Sequence, residues 1–214
     1  MNIGIIGSGI VGQTLGAALA GKGHVVVVGT RDAGKLKEWA ARTGGRARVA
    51  SFSDAAVHGE IVLNATSGHG SLEALRMAGA AALKDKILID IANPLDFSRG
   101  FPPTLFLSNT ESLGEKIQAA FPDTRVVKTL NTVSSVVMVD PGKIGGGDHA
   151  LFVCGNDAAA KAKVTELLDA WFGWKHVVDL GDITTARGTE MYLALWVRLY
   201  GKMKTPAFNI RIVT

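Results

Sequence analysis

Hydrophobic and polar positions along this chain switch repeatedly between two periods. Residues 2–6 form a short, almost continuous apolar run closed by Gly7, the pattern of a strand buried on both faces. Residues 11–20 carry Leu15, Ala18 and Leu19 at helical spacing. Gly21, Lys22 and Gly23 stop that helix before a β-branched run at 24–28. The alternation continues with a helix over 33–42, a weak strand at 48–50 and a helical turn at 53–57 with Ser53 as N-cap. A strand at 61–63, a helix over 71–83 and a strand at 86–91 follow. Strands that alternate with ten-residue helices imply βαβ units. The fold class is therefore α/β, a doubly wound, mostly parallel sheet with helices on both faces.

Residues 93–110 break this rhythm, with Pro94, Gly100, Pro102 and Pro103 in an irregular connection. A helix over 111–121 and a strand at 125–128 resume it, and Gly145, Gly146 and Gly147 read as a flexible loop. Then come a strand at 149–154, a helix over 158–171 with Asp157 near its start, a strand at 176–179 and a long apolar helix over 183–200. No repeat or linker separates the halves. Residues 1–214 thus read as one compact unit, in which the second half extends the first sheet and 145–214 form a small C-terminal α/β extension.

Composition narrows the function classes. With 47% apolar and 20% charged residues among 214, the chain can bury a core and is neither disordered nor coiled-coil. Lys plus Arg (23) exceed Asp plus Glu (19), a formal charge of +4. The basic residues are scattered, so no nucleic-acid partner is expected, and the mild excess favours anionic small molecules. One cysteine, Cys154, excludes an intrachain disulfide and a cysteine-cluster metal site; within an apolar strand it reads as an inert core thiol. His58 and His149 have no partner at metal-ligand spacing, so no metal is expected. His24 and His176 begin strands and read as structural, while Asp179, Asp182 and Glu190 read as a strand end, a helix cap and a helix face. The longest apolar stretches, 25–28 and 192–197, fall far short of the roughly 20 residues that cross a bilayer, so no membrane partner and a cytoplasmic location are expected. No Ser-His-Asp, HExxH or paired-carboxylate pattern singles out a catalytic residue.

One motif carries chemistry. Gly7-Ser8-Gly9-Ile10-Val11-Gly12 fits G-x-G-x-x-G between a strand and a helix, the context that makes it a Rossmann dinucleotide fingerprint. Gly7 permits the tight turn, Gly9 lets backbone approach a pyrophosphate, and Gly12 lets helix and strand pack closely. The helix N-terminus offers free N–H groups to phosphate. The second strand ends Gly29-Thr30-Arg31-Asp32, where NAD sites usually place an acid for the ribose 2′-hydroxyl. Thr30, Arg31 and, one turn on, Lys35 instead suit a 2′-phosphate and favour NADP(H). Asp32 is the counter-argument, because a slip of two residues would put it at the ribose and permit NAD.

Ligands on such sheets sit beyond the carboxyl ends of the strands, and three further loops leave those ends. Ala65, Thr66 and Ser67 are small enough to let a nicotinamide or ribose lie against backbone, with His69 either a substrate or phosphate contact or a plain exposed histidine. Asn93 and Pro94 form the second loop, with Asn93 suited to the carboxamide or the substrate ring. Asn131 and Thr132 form the third; Asn131 either bonds substrate or nicotinamide or caps its own backbone. Trp171, Trp174 and Trp196 read more readily as core or dimer interface than as cover for a ring.

The stretches GSGIVGQTLGAALAGKGHVVVVGTRD, ATSG, IANP, VKTLNTV, VCGNDAAAK and ITTARGTEMYLALWVRLYG together resemble the NADPH-dependent reductases of coenzyme F420, a deazaflavin. The reductase domain of the Steap metalloreductases shares the plan. That resemblance implies hydride transfer between NADPH and the deazaflavin, with the two rings stacked in a cleft. It implies that Ser8, Gly9, Ile10 and Val11 hold the pyrophosphate, that Thr30, Arg31 and Lys35 hold the 2′-phosphate, that 65–68 and Asn93 border the nicotinamide, and that Asn131 and Thr132 border the acceptor. The 145–214 extension would form part of the acceptor cleft or a homodimer contact. A flavin, or a metal chelate reached through a flavin, is the alternative small-molecule acceptor, and a non-catalytic NADP(H) sensor is the reading from outside enzymology. The family's Thr and Asn in the phosphate loop are absent here.

Overall fold

Side chains of a strand point alternately to its two faces, so a strand buried on both must be apolar at every position. The central strands meet that demand. In the computed structural model, which describes residues 1–214 apart from the side chain of Lys35, ten strands and nine α-helices follow in this order: β1 (Asn2–Ile6), α1 (Ile10–Gly21), β2 (Val25–Gly29), α2 (Lys37–Ala41), β3 (Ala47–Ala50), α3 (Phe52–His58), β4 (Ile61–Asn64), α4 (Gly68–Ala78), α5 (Ala80–Leu83), β5 (Ile87–Asp90), β6 (Leu95–Asp96), β7 (Thr104–Leu105), α6 (Leu113–Ala120), β8 (Arg125–Thr129), α7 (Ser135–Val139), β9 (Leu151–Cys154), α8 (Ala158–Phe172), β10 (Val177–Asp179) and α9 (Ala186–Met203).

Eight strands form one sheet in the order β10-β9-β8-β5-β4-β1-β2-β3, and β6 and β7 form a separate antiparallel pair. Every pairing in the large sheet is parallel except β8 with β9, so the expected doubly wound sheet is present and the 145–214 segment adds β9 and β10 to its edge. Strand order reverses beside β1, which lies between β2 and β4. A crevice at the carboxyl ends is expected at that point.

The alternation sorts the core into two layers. Ile3, Ile5, Val26, Val28, Leu63, Ile89, Val127 and Val153 face one layer with residues of α1, α7 and α8. Ile6, Val27, Val62, Leu88, Val126 and Cys154 face the other with α3, α4, α6 and the start of α9. Trp171 and Trp174 belong to the first layer, and Trp174 donates from Nε1 to the Met138 carbonyl at 3.0 Å. Burial pushes the Cys154 thiol up to about 11, as befits an inert core thiol.

Several expected boundaries move, each for a local reason. The 33–42 helix divides into a 3₁₀ turn (Ala33–Leu36), capped by Asp32, and α2. Ser51, not Ser53, caps α3: its Oγ accepts from the Asp54 N–H at 3.0 Å and donates to the Asp54 carboxylate at 2.7 Å. The 71–83 helix starts earlier, at Gly68, and breaks at Gly79, whose φ of 94° no helix continues through. Gly145–Gly147 is a 3₁₀ turn rather than a loose loop, and the irregular 93–110 segment holds the β6–β7 pair.

The end of the chain is tied back by charge. On α6, Ser112 and Glu115 form a capping box, and Arg187 of α9 grips the same carboxylate through Nε at 2.9 Å and an Nη at 2.5 Å. The Arg187 guanidinium, aided by Ser112, holds the Glu115 carboxyl below its usual range. A depressed carboxyl stabilises the fold above its unfolded pKa, about 4.3, and that stabilisation fades as pH falls. We expect Glu115→Gln to lose on the order of 1 kcal/mol at pH 7, and the gap to wild type to close below about pH 4, as read by urea unfolding at both pH values.

Candidate active site at the carboxyl edge of the sheet

The β1–α1 loop is shaped by contacts that leave no room for side chains. Gly7 has φ 119°, and a Cβ there would lie 2.5 Å from the Ala65 carbonyl oxygen across the reversal point. A Cβ on Gly12 would lie 2.1 Å from the Gly7 oxygen. Gly9 is the opposite case: it caps α1 in extended conformation, and a Cβ there would meet nothing within 4 Å. The protein thus leaves space above Gly9, where the first-turn N–H groups of α1 lack helical partners. The loop is held by a hydrogen bond between the Ser8 and Thr30 hydroxyls at 2.9 Å and by Gln13 Nε2 donating to the Ser8 carbonyl at 2.8 Å.

Two cavities lie along this edge. The first, about 380 Å³, is lined by Gly7, Ser8, Gly9, Thr30, Arg31 and Asp32 on one side and by Ala65, Thr66, Ser67 and α4 on the other. One Asp32 carboxylate oxygen accepts from the Gly34 N–H at 3.0 Å, capping the turn beyond β2. The second cavity, about 260 Å³, is mostly apolar and is lined by Val11, Ile91, Ala92, Asn93, Asn131, the segment 133–135, and Leu193 and Trp196 of α9. Ala65 and Thr66 line both, so the two spaces meet at the β4 loop.

The sequence-expected residues are distributed unevenly. Gly7, Ser8, Gly9, Thr30, Arg31, Ala65, Thr66 and Ser67 converge on the first cavity; Val11, Asn93 and Asn131 line the second. Ile10 is exposed and Gly12 is packed beneath the loop. The side chain of Lys35 lies outside the described residues. His69 stacks on Phe106 with ring centroids 4.0 Å apart, stands 3.7 Å from Asp96, and lines neither cavity. Pro94 and Thr132 are buried and line neither. Asn131 is spent on the fold: its Nδ2 donates to Asn93 Oδ1 at 3.0 Å and to the Thr189 carbonyl at 3.1 Å, while Asn93 Nδ2 donates to the Asn131 carbonyl at 2.8 Å. This pair clamps α9 to the ends of β5 and β8.

Beneath the clamp lies a buried ionic cluster that the sequence reading overlooked. Lys128, fully buried, lies 2.8 Å from Asp90 and 2.8 Å from Glu190, and also donates to the Ala92 carbonyl. Glu190, which reads as a helix face, is 1% exposed and accepts from the Leu113 and Gly114 N–H groups at the start of α6, at 2.7 and 3.0 Å. Asp90 accepts from Asn64 at 2.7 Å, and Asn64 in turn accepts from the Thr66 hydroxyl at 2.7 Å, so the network reaches the cavity wall. Burial alone would lower the Lys128 pKa; the two carboxylates outweigh it and hold it above the usual lysine value. A hint was present in Asp90, which ends the apolar run of β5, and in Lys128, which follows Val126 and Val127 in β8.

Comparisons with known proteins agree with this geometry. Residues 2–94 match the family described as NADP oxidoreductase, coenzyme F420-dependent. A structure provisionally named an F420-dependent NADP-reductase, from Arthrobacter sp. FB24, is 52% identical over the whole of both chains, with a TM-score of 0.96. The chain belongs to this family. It is thereby an NADP-dependent oxidoreductase. The F420-dependent NADP reductase of Methanothermobacter marburgensis is 26% identical over 99% of this chain and 98% of its own. The metalloreductase STEAP3 of Rattus norvegicus is 30% identical over 95% of this chain, which spans only 38% of that protein's length. Among the described residues no group of three or more His, Cys, Asp or Glu could hold a metal ion, and no helix is long and apolar enough to cross a membrane.

Removing the Lys128 ammonium would leave two buried carboxylates facing each other. Lys128→Met is expected to cost about 3–5 kcal/mol in urea unfolding, and adding Asp90→Asn and Glu190→Gln should restore part of that loss.

Proposed function

We propose that this protein passes a hydride between NADP(H) and a deazaflavin of the coenzyme F420 type, with the reacting rings meeting in the second cavity. The observation that carries the reading is the continuity of the two cavities through Ala65 and Thr66: a phosphate-binding loop at one end and an apolar chamber at the other. NADPH, when bound, supplies the hydride from its nicotinamide. The N–H groups at the start of α1 take the pyrophosphate charge, and the space above Gly9 admits it. The Thr30 hydroxyl and the Arg31 guanidinium take the 2′-phosphate, and Asp32, engaged with Gly34, caps the turn behind them. Val11, Ala65, Ile91, Ala92, Val133 and Leu193 exclude water from the rings. Among the described residues, no titratable side chain lines the second cavity. The reading extends to a cytoplasmic enzyme that pairs as a homodimer through the exposed Leu195, Tyr200 and Met203 of α9. A sensor without an acceptor would have no use for the second cavity. A flavin, or a metal chelate reached through a flavin, is the alternative that a control must separate; the STEAP relatives are named metalloreductases.

The decisive assay mixes protein, NADPH and oxidised coenzyme F420 anaerobically and follows loss of the deazaflavin absorbance, with NADH and free flavin mononucleotide in parallel. Rapid bleaching by NADPH and slow bleaching by NADH are expected. No bleaching despite tight NADPH binding would refute the deazaflavin reading. Arg31→Ala should raise the KM for NADPH about tenfold to a hundredfold, since charge-assisted hydrogen bonds are the strong ones, and leave that for NADH nearly unchanged. Gly9→Ala should fold with an unaltered Tm yet bind NADPH about tenfold more weakly, because its methyl group fills only the ligand's space.

A further inference from the structure

The two core layers hold only the start of α9. Glu190 and Arg187 tie its first turns to the ionic cluster and to α6, and Ala186 belongs to a layer. Leu193 and Val197 are buried yet belong to neither layer, and Trp196 belongs to neither. Leu193 and Trp196 are the part of α9 that lines the second cavity, so that wall draws support from elsewhere.

The chain supplies support after the helix. Lys204 leaves α9 with φ 58°, Pro206 keeps the helix from resuming, and the next residues return to the chain just before β9. Phe208, 8% exposed, stacks on the Trp196 ring with centroids 5.1 Å apart. Asn209 donates from Nδ2 to the Ala150 carbonyl at 2.7 Å and to His149 Nδ1 at 2.8 Å. A carbonyl can only accept, which fixes the amide's orientation and makes Nδ1 an acceptor. The proton of His149 is then on Nε2, which donates to the Pro141 carbonyl at 3.0 Å, just beyond α7. His149 also lies edge-on to Trp174 at 5.2 Å, and Trp174 donates to the Met138 carbonyl. Ser135 and Met138 of α7 line the second cavity. The hold continues past Asn209: the Ala150 N–H donates to the Ile210 carbonyl at 2.9 Å, and Arg211 pairs with Asp148 at 3.0 Å. Phe208 and Asn209 themselves line neither cavity.

We infer that residues 205–211 form a strap joining the α9 wall of the second cavity to its α7 wall, with Phe208 and Asn209 as positioning residues that act on a bound acceptor through Trp196 and Met138. The physical reason is spacing. Stacked rings exchange a hydride only at near-attack distance, about 3–3.5 Å, so a chamber whose walls drift apart loses acceptor affinity and turnover. The dinucleotide loops, held by backbone packing at Gly7 and Gly12, stay as they are. The inference rests on the second cavity being the acceptor chamber, as proposed above.

Phe208→Ala, Phe208→Leu and Asn209→Ala test it. Each is assayed for acceptor KM and kcat with NADPH and oxidised coenzyme F420, for the Kd of NADPH by titration, and for Tm. Acrylamide quenching of tryptophan emission, compared with the same variants carrying Trp196→Phe, reads the exposure of Trp196. Phe208→Ala and Asn209→Ala should raise acceptor KM about fivefold to tenfold and lower kcat, with the Kd of NADPH unchanged. Trp196 should become more readily quenched in both. Phe208→Leu keeps apolar volume without the ring and should fall between these and wild type. Unaltered acceptor constants or unaltered quenching in both alanine variants, with or without a lower Tm, would overturn the inference, as would an equal weakening of NADPH binding. If Phe208→Ala does not fold, Asn209→Ala, which removes two hydrogen bonds from a half-buried side chain, decides the matter. Quenching needs no acceptor, so it still decides the strap if wild type reduces no deazaflavin, a result that would refute the proposed reaction alone.

Discussion

The ionic cluster around Lys128 is the constraint on which the rest of the site depends. A lone ammonium between β5 and β8 would be intolerably desolvated, and the attraction of two carboxylates offsets that cost only when their remaining lone pairs are also satisfied. They are: Asp90 by Asn64 and Ala92, and Glu190 by two N–H groups at the start of α6. The partial positive charge of that helix terminus balances the second carboxylate. A buried cluster of this kind adds little net stability over a well-packed apolar one, but it tolerates only one arrangement. Here it fixes α9 and α6 against the carboxyl ends of β4, β5 and β8, and so fixes the walls of the second cavity.

The first cavity is organised by a different force, the close approach of backbone to backbone. Gly7 against Ala65 and Gly68 against Asn93 bring the loops after β1, β4 and β5 into contact with no side chain between them. The resulting floor is flat and small-residued, which suits a long dinucleotide lying across several strand ends. Among the described residues, charged side chains enter the lining of this cavity at Arg31, Asp32 and Glu73. Polar order beneath the floor and apolar order above it meet at Thr66, whose hydroxyl belongs to the buried network and whose position belongs to both cavities.

What the sequence could reveal follows from the range of the interactions. Strands β1, β2, β4 and β5 are legible because burial on both faces makes them apolar throughout, and the Gly7–Gly12 loop because its turn, approach and packing all act within six residues. Helix α3 was displaced because two serines compete for its cap, and only the Asp54 carboxylate three residues after Ser51 decides between them. Glu190 reads from the sequence only as a helix face, because its partners, Lys128 and Leu113, lie more than sixty residues away and helical periodicity carries no trace of them. Asn131 stands out as polar at a strand end; that its amide is consumed by Asn93 and Thr189 depends on where α9 folds back. Trp196 was grouped with Trp171 and Trp174, which are core, since nothing local distinguishes an indole in a chamber wall from one in a layer.

This difference in range also explains why the cofactor is easier to read than the acceptor. The family match ends at residue 94, and the residues before it supply the whole lining of the first cavity. Of the second cavity, Leu95, Asn131, Val133, Ser134, Ser135, Met138, Leu193 and Trp196 all lie beyond that point. Val133 and Met138 of that wall share a core layer with Leu15 and Leu19 of α1, while Leu193 and Trp196 ride on α9, which Glu190 ties to the Lys128 cluster.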